Sequence, residues 1–224
     1  MIMFSTMRPI VFDQADLLGQ CTIPTDARIL ALVVHPDASG RRQPGYRFIT
    51  DVLCANGVAT VSFDLRTPDD GAGRAETPVG GAIAARMRDV LAWAGRHHDL
   101  ARLPVGLIAV NDAVAGCVAA GRHPGLDSIR AMVMIDGPTG LTPKGVAAWR
   151  WPTLSLLILK AQMKPRACPG AYEAVACKAA AWLNEMVLPA SAASESGNDA
   201  AKSRRHARLA SAHSSAPRSV GAVA

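Results

Sequence analysis

Polar side chains stand directly after several short apolar runs of the chain, and these are the residues that could do chemistry. They are His35, Asp37, Asp64, Asn111, Asp136 and Lys160. Carboxylate, imidazole, amide and amine groups can move protons or hydrogen-bond a small molecule. Ordinary strands without any function also end at polar residues. These positions therefore indicate a functional site only if the fold brings them together.

Five apolar runs precede these polar residues, and each is typical of a strand buried on both faces. The runs cover residues 29–34, 58–63, 105–110, 129–135 and 154–159. Residues 10–12 and 21–23 can pair with each other as a small antiparallel edge. The sequence therefore predicts at least five core strands.

Segments with helical spacing alternate with the runs. One begins near Pro44 and ends at Asn56-Gly57, a helix-stop pair. Another has apolar residues on one face over 83–94, a third over 113–120 contains only small apolar residues, and a fourth has a stripe over 172–187 that includes Met186. Strands alternating with helices predict an α/β fold, with a mostly parallel, doubly wound sheet covered on both faces.

The chain changes composition near residue 188. Residues 189–224 contain eleven Ala and eight Ser, with five basic residues against two acidic ones. Such a segment cannot bury enough apolar surface to offset the entropy of ordering. We therefore predict one domain over 1–188 and a disordered, basic, Ala/Ser-rich tail over 189–224.

The net charge of +6 and the aromatic content of 4% bear on the partners of the protein. The tail carries half of the charge, and ten aromatic residues offer little for stacking single-stranded bases. There is no strong case for a nucleic-acid partner, and the oligomeric state stays open. We expect a cytoplasmic protein, because neither a signal peptide nor a long apolar stretch occurs.

Phosphate-binding and metal-binding patterns are missing from the sequence. Neither Gly-x-Gly-x-x-Gly after a strand nor Gly-x4-Gly-Lys-Ser/Thr occurs. The five cysteines are scattered and never spaced as Cys-x-x-Cys, so neither a disulfide framework nor a zinc site is indicated. His97 and His98 stand at a helix end, where imidazole meets the helix dipole favourably. We expect no cofactor and no metal.

The stretch from Gly106 to Gly116 is the most informative part of the chain. A buried strand passes through a sharp turn into a helix of small residues, and Ala109 and Ala113 flank the turn. A nucleophile elbow needs this pattern, because its central residue is strained and tolerates only small neighbours. The central residue here is Asn111.

With this stretch, about 160 residues from Arg28 to Leu188 resemble the dienelactone-hydrolase-like branch of the α/β-hydrolases. The resemblance rests also on the strand ending at His35, the arginine-rich helix start at 41–48, and the segments 57–65, 103–107 and 151–158. It implies a truncated α/β-hydrolase-like three-layer sandwich.

The catalytic pattern that the resemblance implies is not met. Asn111 stands where the family has a serine, and an amide has no nucleophilic oxygen that a histidine can activate. His35-Pro36 stands where the family has His-Gly, and proline has no N–H for an oxyanion. The family's acid after the last strand falls at Lys160-Ala-Gln-Met163, and no histidine follows before His206. We therefore expect the catalytic triad of serine, acid and histidine to be absent.

Other residues could replace the triad. Asp112 lies beside the turn, but one position off its tip it should point away from the crevice. Asp136 follows the next strand, where some α/β-hydrolases place their acid. Cys117 is expected to be a buried core thiol, and His35 to support the loop backbone.

Three functions follow as hypotheses. The first is a non-catalytic α/β-hydrolase-like protein, a pseudo-hydrolase, that binds a small ligand or a partner in the remnant crevice. The alternative is a carboxylic-ester or lactone hydrolase, serine-type or atypical, that uses an unrecognised set of residues. The third is an interaction module that uses the basic tail. The polar residues at the strand ends would also superficially suit a receiver domain, which additionally needs paired acids after its first strand.

Overall fold

The protein is described by a computed structural model over residues 6–12, 17–36, 43–66, 80–121, 123–137, 155–159 and 169–188. For residues 6–12, 17, 18 and 169–171 only the backbone is described. The elements in chain order are β1 (Thr6–Phe12), β2 (Leu17–Ile23), β3 (Ile29–His35), α1 (Pro44–Ala55), β4 (Val58–Asp64), α2 (Gly80–Arg96), β5 (Val105–Val110), α3 (Ala113–Ala120), β6 (Ile129–Ile135), β7 (Ser155–Leu159) and α4 (Pro169–Val187).

The described strands form one seven-stranded sheet in the order β1-β2-β4-β3-β5-β6-β7. The strands from β4 to β7 in this order are all parallel, whereas β1 and β2 form an antiparallel hairpin that joins the sheet through β4. Because these five strands are parallel, their carboxyl ends lie along one edge of the sheet.

The two faces of the sheet bury separate hydrophobic cores. Alternate residues of β3, such as Leu30 and Leu32, pack with α2 and α3 on one face. Ile29, Ala31 and Val33 pack with α1 and α4 on the other face. Every residue of β3, β4 and β5 is buried. The predicted α/β fold with helices on both faces of a mostly parallel sheet is therefore confirmed.

The predicted helices are also present. Pro44 lies in the first turn of α1, which ends before Gly57, where a φ of +73° suits glycine. The small residues of α3 let it lie close to its neighbours, because a side chain at Gly116 would collide with Ile83 of α2. The short helix is accordingly buried along most of its length.

Two details of the sequence prediction are wrong. Met186 is 36% exposed although its angle round the helix lies between those of the buried Val175 and Ala179, so that side of α4 stops being buried in the last turn; Ala180 is buried as well. The antiparallel edge is a pair of seven-residue strands in which Thr6 faces Ile23 and Phe12 faces Leu17. The segments 10–12 and 21–23 therefore belong to one hairpin but do not face each other.

Contacts divide the chain between Leu188 and Pro189. Residues 189–224 lie outside the described residues, so the disordered basic tail stays a prediction. Among the described strands β7 pairs with β6 alone and forms an edge. No helix in the described ranges is long and apolar enough to cross a membrane.

We predict that two Gly→Ala substitutions in α2 act in opposite directions. A Cβ at Gly80 would lie 2.8 Å from Ala119 Cβ and 2.9 Å from the Ala119 carbonyl carbon, so Gly80→Ala must push α2 and α3 apart. We expect a loss of about 1–3 kcal/mol in the free energy of unfolding.

The matched control is Gly95→Ala. A Cβ at Gly95 meets nothing within 4 Å, and alanine is a better helix former than glycine, so we expect a gain of about 0.5–1 kcal/mol. Urea denaturation of both variants measures the two changes. Equal changes in the two variants would contradict the close α2–α3 contact.

Candidate functional site

Strand register brings four of the six predicted binding residues to one edge of the sheet. His35 and Asp64 are direct partners at the ends of β3 and β4. Asn111 and Asp136 follow Val110 and Ile135, the last paired residues of β5 and β6. The other two predicted residues, Asp37 and Lys160, lie outside the described residues. The roles of all six stay predictions.

Asn111 forms the sharp turn between β5 and α3 and has a φ of +49°, in the left-handed region. Its N–H donates to the Ile135 carbonyl at 2.9 Å, and its carbonyl accepts from Val114 N–H at 3.1 Å. Ala109 and Ala113 on either side are fully buried, so larger residues would not fit there. Asparagine tolerates the left-handed region better than most residues, which explains why it can occupy this turn.

The side chain of Asn111 belongs to a polar contact that the sequence analysis missed. Its Nδ2 donates to the hydroxyl of Tyr46. The Tyr46 ring packs edge-on against the His35 ring, with centroids 5.2 Å apart and planes at 64°. Tyr46 and His35 are both buried, at 4% and 1% exposure. We call these three residues, His35, Tyr46 and Asn111, the elbow cluster.

Tyr46 lies in the first turn of α1 and enters the elbow cluster from the face of the sheet shared with α4. Tyr172 of α4 lies against Gly45, where a Cβ would be 2.9 Å from the Tyr172 hydroxyl. The start of α1 is therefore held close to both α4 and the turn at Asn111. The sequence signal was the position of Tyr46 two residues after Pro44, because a helix that follows a parallel strand begins at its carboxyl edge.

The pKa of Tyr46 is raised to about 12, and burial is the largest cause. The negative charge of Asp136 contributes to the rise, and the hydrogen bond from Asn111 opposes it. A phenol with this pKa stays neutral at physiological pH. Tyr46 therefore acts as a hydrogen-bonding group and cannot serve there as a general base or an anionic nucleophile.

Asp136 is a second strained residue at this edge, with a φ of +52°. Its N–H donates to the Leu159 carbonyl at 3.1 Å, which ties the end of β6 to β7. Left-handed backbone at residues other than glycine collects at functional sites, where strain is maintained by surrounding contacts. Two such residues follow adjacent strands here, which marks this edge as the candidate site.

His35 and Pro36 stand where an oxyanion loop is expected. The His35 carbonyl accepts from Leu65 N–H at 2.7 Å, so the ends of β3 and β4 are joined beyond their last pair. Asp64, the cross-strand partner of His35, is 3% exposed. The position after His35 offers no backbone donor, because Pro36 has no N–H.

Asp112 and Cys117 were the other candidates near the turn. Asp112 is exposed, and its side chain makes no capping hydrogen bond to α3. Cys117 is fully buried, and burial raises the pKa of its thiol far above the ordinary value. A thiol that keeps its proton is not a nucleophile, so Cys117 belongs to the core.

Solved structures share the fold of this chain. Dienelactone hydrolase from Anabaena variabilis ATCC 29413 is 23% identical, with a TM-score of 0.63 over 83% of this chain and 99% of that one. A cold-adapted esterase from an Arctic intertidal metagenomic library is 11% identical, with a TM-score of 0.57 over 82% and 94%. The Pyrococcus furiosus esterase Pf2001 is 11% identical, with a TM-score of 0.54 over 82% and 93%. At these identities the likeness shows the fold alone.

The similarity found from the sequence points to a protein with a different name from those of the solved structures. No family model matches the chain. A Mycobacterium tuberculosis protein named "Putative phosphoribosyl transferase" is 28% identical over 148 residues, which are 66% of this chain and 33% of that protein. The chain thus spans one third of the length of the curated relative that it matches. Together the comparisons and the sheet topology show an α/β-hydrolase-like fold.

We predict that Tyr46 titrates near pH 12 and that Asn111 sets part of this value. The chain has two tyrosines, so Tyr172→Phe leaves Tyr46 as the single phenol. In that background tyrosinate absorbance should rise with a midpoint near 12. Asn111→Gly removes the hydrogen bond while accepting the same φ, and should move the midpoint higher. A midpoint near the ordinary pKa of about 10 would contradict the buried position.

The same pKa predicts how stability depends on pH. The folded pKa of Tyr46 is raised to about 12, so the folded state keeps a proton that the unfolded state loses from an ordinary value of about 10. The stabilisation is complete below pH 10 and is lost between about pH 10 and 12, by about 2 kcal/mol. The difference in unfolding free energy between the parent and Tyr46→Phe should shrink over this window, and a constant difference would contradict it.

Proposed function

We propose that the protein is a non-catalytic α/β-hydrolase-like protein, a pseudo-hydrolase, that binds a small molecule at the carboxyl edge of its sheet. The observation that carries the proposal is the hydrogen bond from Asn111 to Tyr46 at the tip of the strained turn. In an acyl-transfer enzyme of this fold that tip presents a nucleophile. Here it presents an amide whose nitrogen is already bound within the protein.

The groups around the tip support the absence of covalent chemistry. The Asn111 amide cannot form an acyl intermediate, the Tyr46 phenol stays neutral, and the Cys117 thiol is buried and protonated. The Tyr46 hydroxyl is hydrogen-bonded to Asn111, and its ring packs against His35. Tyr46 therefore occupies part of the space over the tip. The elbow cluster thus stabilises a backbone shape without supplying an attacking atom.

The polar groups at the edge support a binding role. Asn111 and Asp136 are half-buried and Asp112 is exposed, so amide and carboxylate groups reach the surface beside the elbow cluster. Carboxylates disfavour an anion and favour a neutral or cationic molecule. We infer that the ligand is a small neutral or cationic compound that hydrogen-bonds to this edge.

The names of the similar structures support the proposal, whereas the name of the sequence relative does not. Dienelactone hydrolase and esterases share the fold at low identity, which supports a hydrolase scaffold as the origin of this chain. The phosphoribosyl transferase name belongs to a protein of which two thirds lie outside the match. Neither of the two phosphate-binding patterns occurs in this chain, so its sequence adds no support for a transferase.

The alternative is an ester or lactone hydrolase. The observation that favours it is the buried pair His35 and Asp64 on adjacent strands, because an imidazole beside a carboxylate is the general-base half of a hydrolytic site. That pair would need a water or a nucleophile from elsewhere in the chain. The two functions differ in whether an ester is turned over.

We predict that the purified protein neither reacts with a fluorophosphonate probe nor hydrolyses p-nitrophenyl acetate above the rate of a heat-denatured sample. No activated hydroxyl should be available to either reagent. Mass spectrometry of the labelled protein and absorbance of p-nitrophenolate are the measurements.

Variants at the edge decide the alternative. His35→Gln and Asp64→Asn, which remove the pair that favours the alternative, should leave any residual rate unchanged, as should Asn111→Gly, Asp136→Ala and the distant control Gly95→Ala. A probe adduct on one serine with matching turnover would overturn the proposal. So would a turnover rate abolished by one edge variant and kept by the control.

We predict that the edge of the sheet binds neutral and cationic molecules better than anions, and three probes of similar shape and different charge test this preference. Benzylamine is cationic, benzyl alcohol neutral and benzoate anionic. In saturation-transfer NMR we expect benzylamine and benzyl alcohol to bind several-fold better than benzoate. Asp136→Asn removes one carboxylate charge and should narrow the difference. Strongest binding by benzoate, or no binding by any probe, would contradict the inferred ligand class.

A further inference from the structure

Three side chains with metal-ligating atoms converge at the other end of the sheet. They are His97, His98 and Asp99, which directly follow α2 and precede β5. Their ligand atoms all lie within 4.8 Å of one another. The β5 strand separates them from Asn111 by about 20 Å, since six residues extend by roughly 3.3 Å each. This cluster therefore has no part in the proposed function.

The geometry within the cluster is specific. His98 Nε2 lies 2.6 Å from one Asp99 carboxylate oxygen, and His97 Nδ1 lies 4.0 Å from the other. The two imidazole rings are stacked, with centroids 5.7 Å apart and planes at 23°. One carboxylate therefore faces two imidazole nitrogens, one through each of its oxygens.

His97 Nδ1 is the observation that points to a ligand. The atom is buried and has no hydrogen-bond partner, although most buried polar atoms have one. At 4.0 Å the Asp99 oxygen is too far for a hydrogen bond but close enough for one ion to bind both atoms. An interaction of the histidines with the dipole of α2 would not account for this unpaired nitrogen.

The backbone around the cluster is held in place. The His97 carbonyl accepts from Leu100 N–H at 3.0 Å and from Ala101 N–H at 2.9 Å. Leu100 is 2% exposed and anchors this turn in the core, and the ring of Trp93 lies 5.5 Å from that of His97. His98, by contrast, has a side chain that is 86% exposed and can turn toward an ion at little cost.

We propose that His97, His98 and Asp99 form a site for a divalent cation of the zinc class. Zinc binds imidazole nitrogen and carboxylate oxygen at about 2.0–2.2 Å, which places two tetrahedral ligands about 3.3 Å apart. The observed separations need shifts of about 1.5 Å or less to reach this value. Two nitrogens and one oxygen favour Zn²⁺ over Mg²⁺ or Ca²⁺, and water completes the coordination.

Cysteine spacing, the sequence pattern typical of zinc sites, does not indicate this site. The site uses no cysteine, and its three ligands are consecutive residues. Adjacent side chains on a helix point in different directions, so only the turn after Arg96 can bring them together. The ion would then hold the turn that directly follows α2.

The test is Zn²⁺ binding to the full chain by isothermal titration calorimetry. We expect one Zn²⁺ per chain, with affinity reduced by about tenfold or more in His98→Ala and in Asp99→Ala. The chain has six histidines, and the matched control replaces the three that lie outside both sites, in the triple variant His123→Ala, His206→Ala, His213→Ala. This control should bind like the parent.

A second measurement guards against misfolding. Zn²⁺ should raise the melting temperature of the parent and of the triple control, but not of His98→Ala, whose exposed side chain can be removed without loss of packing. Full binding by His98→Ala, loss of binding in the triple control, or no binding to the parent would each overturn the proposal.

Discussion

The left-handed turn at Asn111 is the constraint on which the candidate site depends. To pass from a strand buried on both faces directly into a buried helix, the chain must reverse within two residues, and the backbone becomes strained. The turn is held by a hydrogen bond to β6, by small residues on both sides and by the Tyr46 hydroxyl. These contacts come from several elements, so the site forms only when β5, β6, α1 and α3 are assembled.

The chemistry of the tip follows from the type of residue that occupies this backbone. An amide relieves the strain and gives a hydrogen bond to Tyr46, whereas a hydroxyl would be more reactive but would fit the left-handed region less well. The elbow cluster therefore holds the strained backbone in a stable local structure. The raised pKa of Tyr46 has the same cause, since the contacts that bury the ring also keep the phenol neutral.

The fold could be predicted from the sequence more completely than the site. Five continuous apolar runs and the helical stripes between them fixed the layers, because burial on both faces leaves few other patterns. Tyr46 was missed because its partner Asn111 is 65 residues away, and no local pattern tells which helix start meets which strand end. The His97 cluster was missed for a similar reason, since only three-dimensional structure shows that three consecutive side chains converge. Met186 was misplaced because the length over which a helical stripe stays buried depends on the neighbouring elements.

The positive φ of Asn111 has a consequence for how such a protein can arise. Asparagine codons differ from two of the serine codons by one nucleotide, and asparagine accepts the left-handed turn more readily than serine. A single transition can thus exchange a nucleophile for an amide without rebuilding β5, α3 or their packing. The backbone of the turn therefore places little restriction on which of the two residues it carries, and one can replace the other while the surrounding fold is kept.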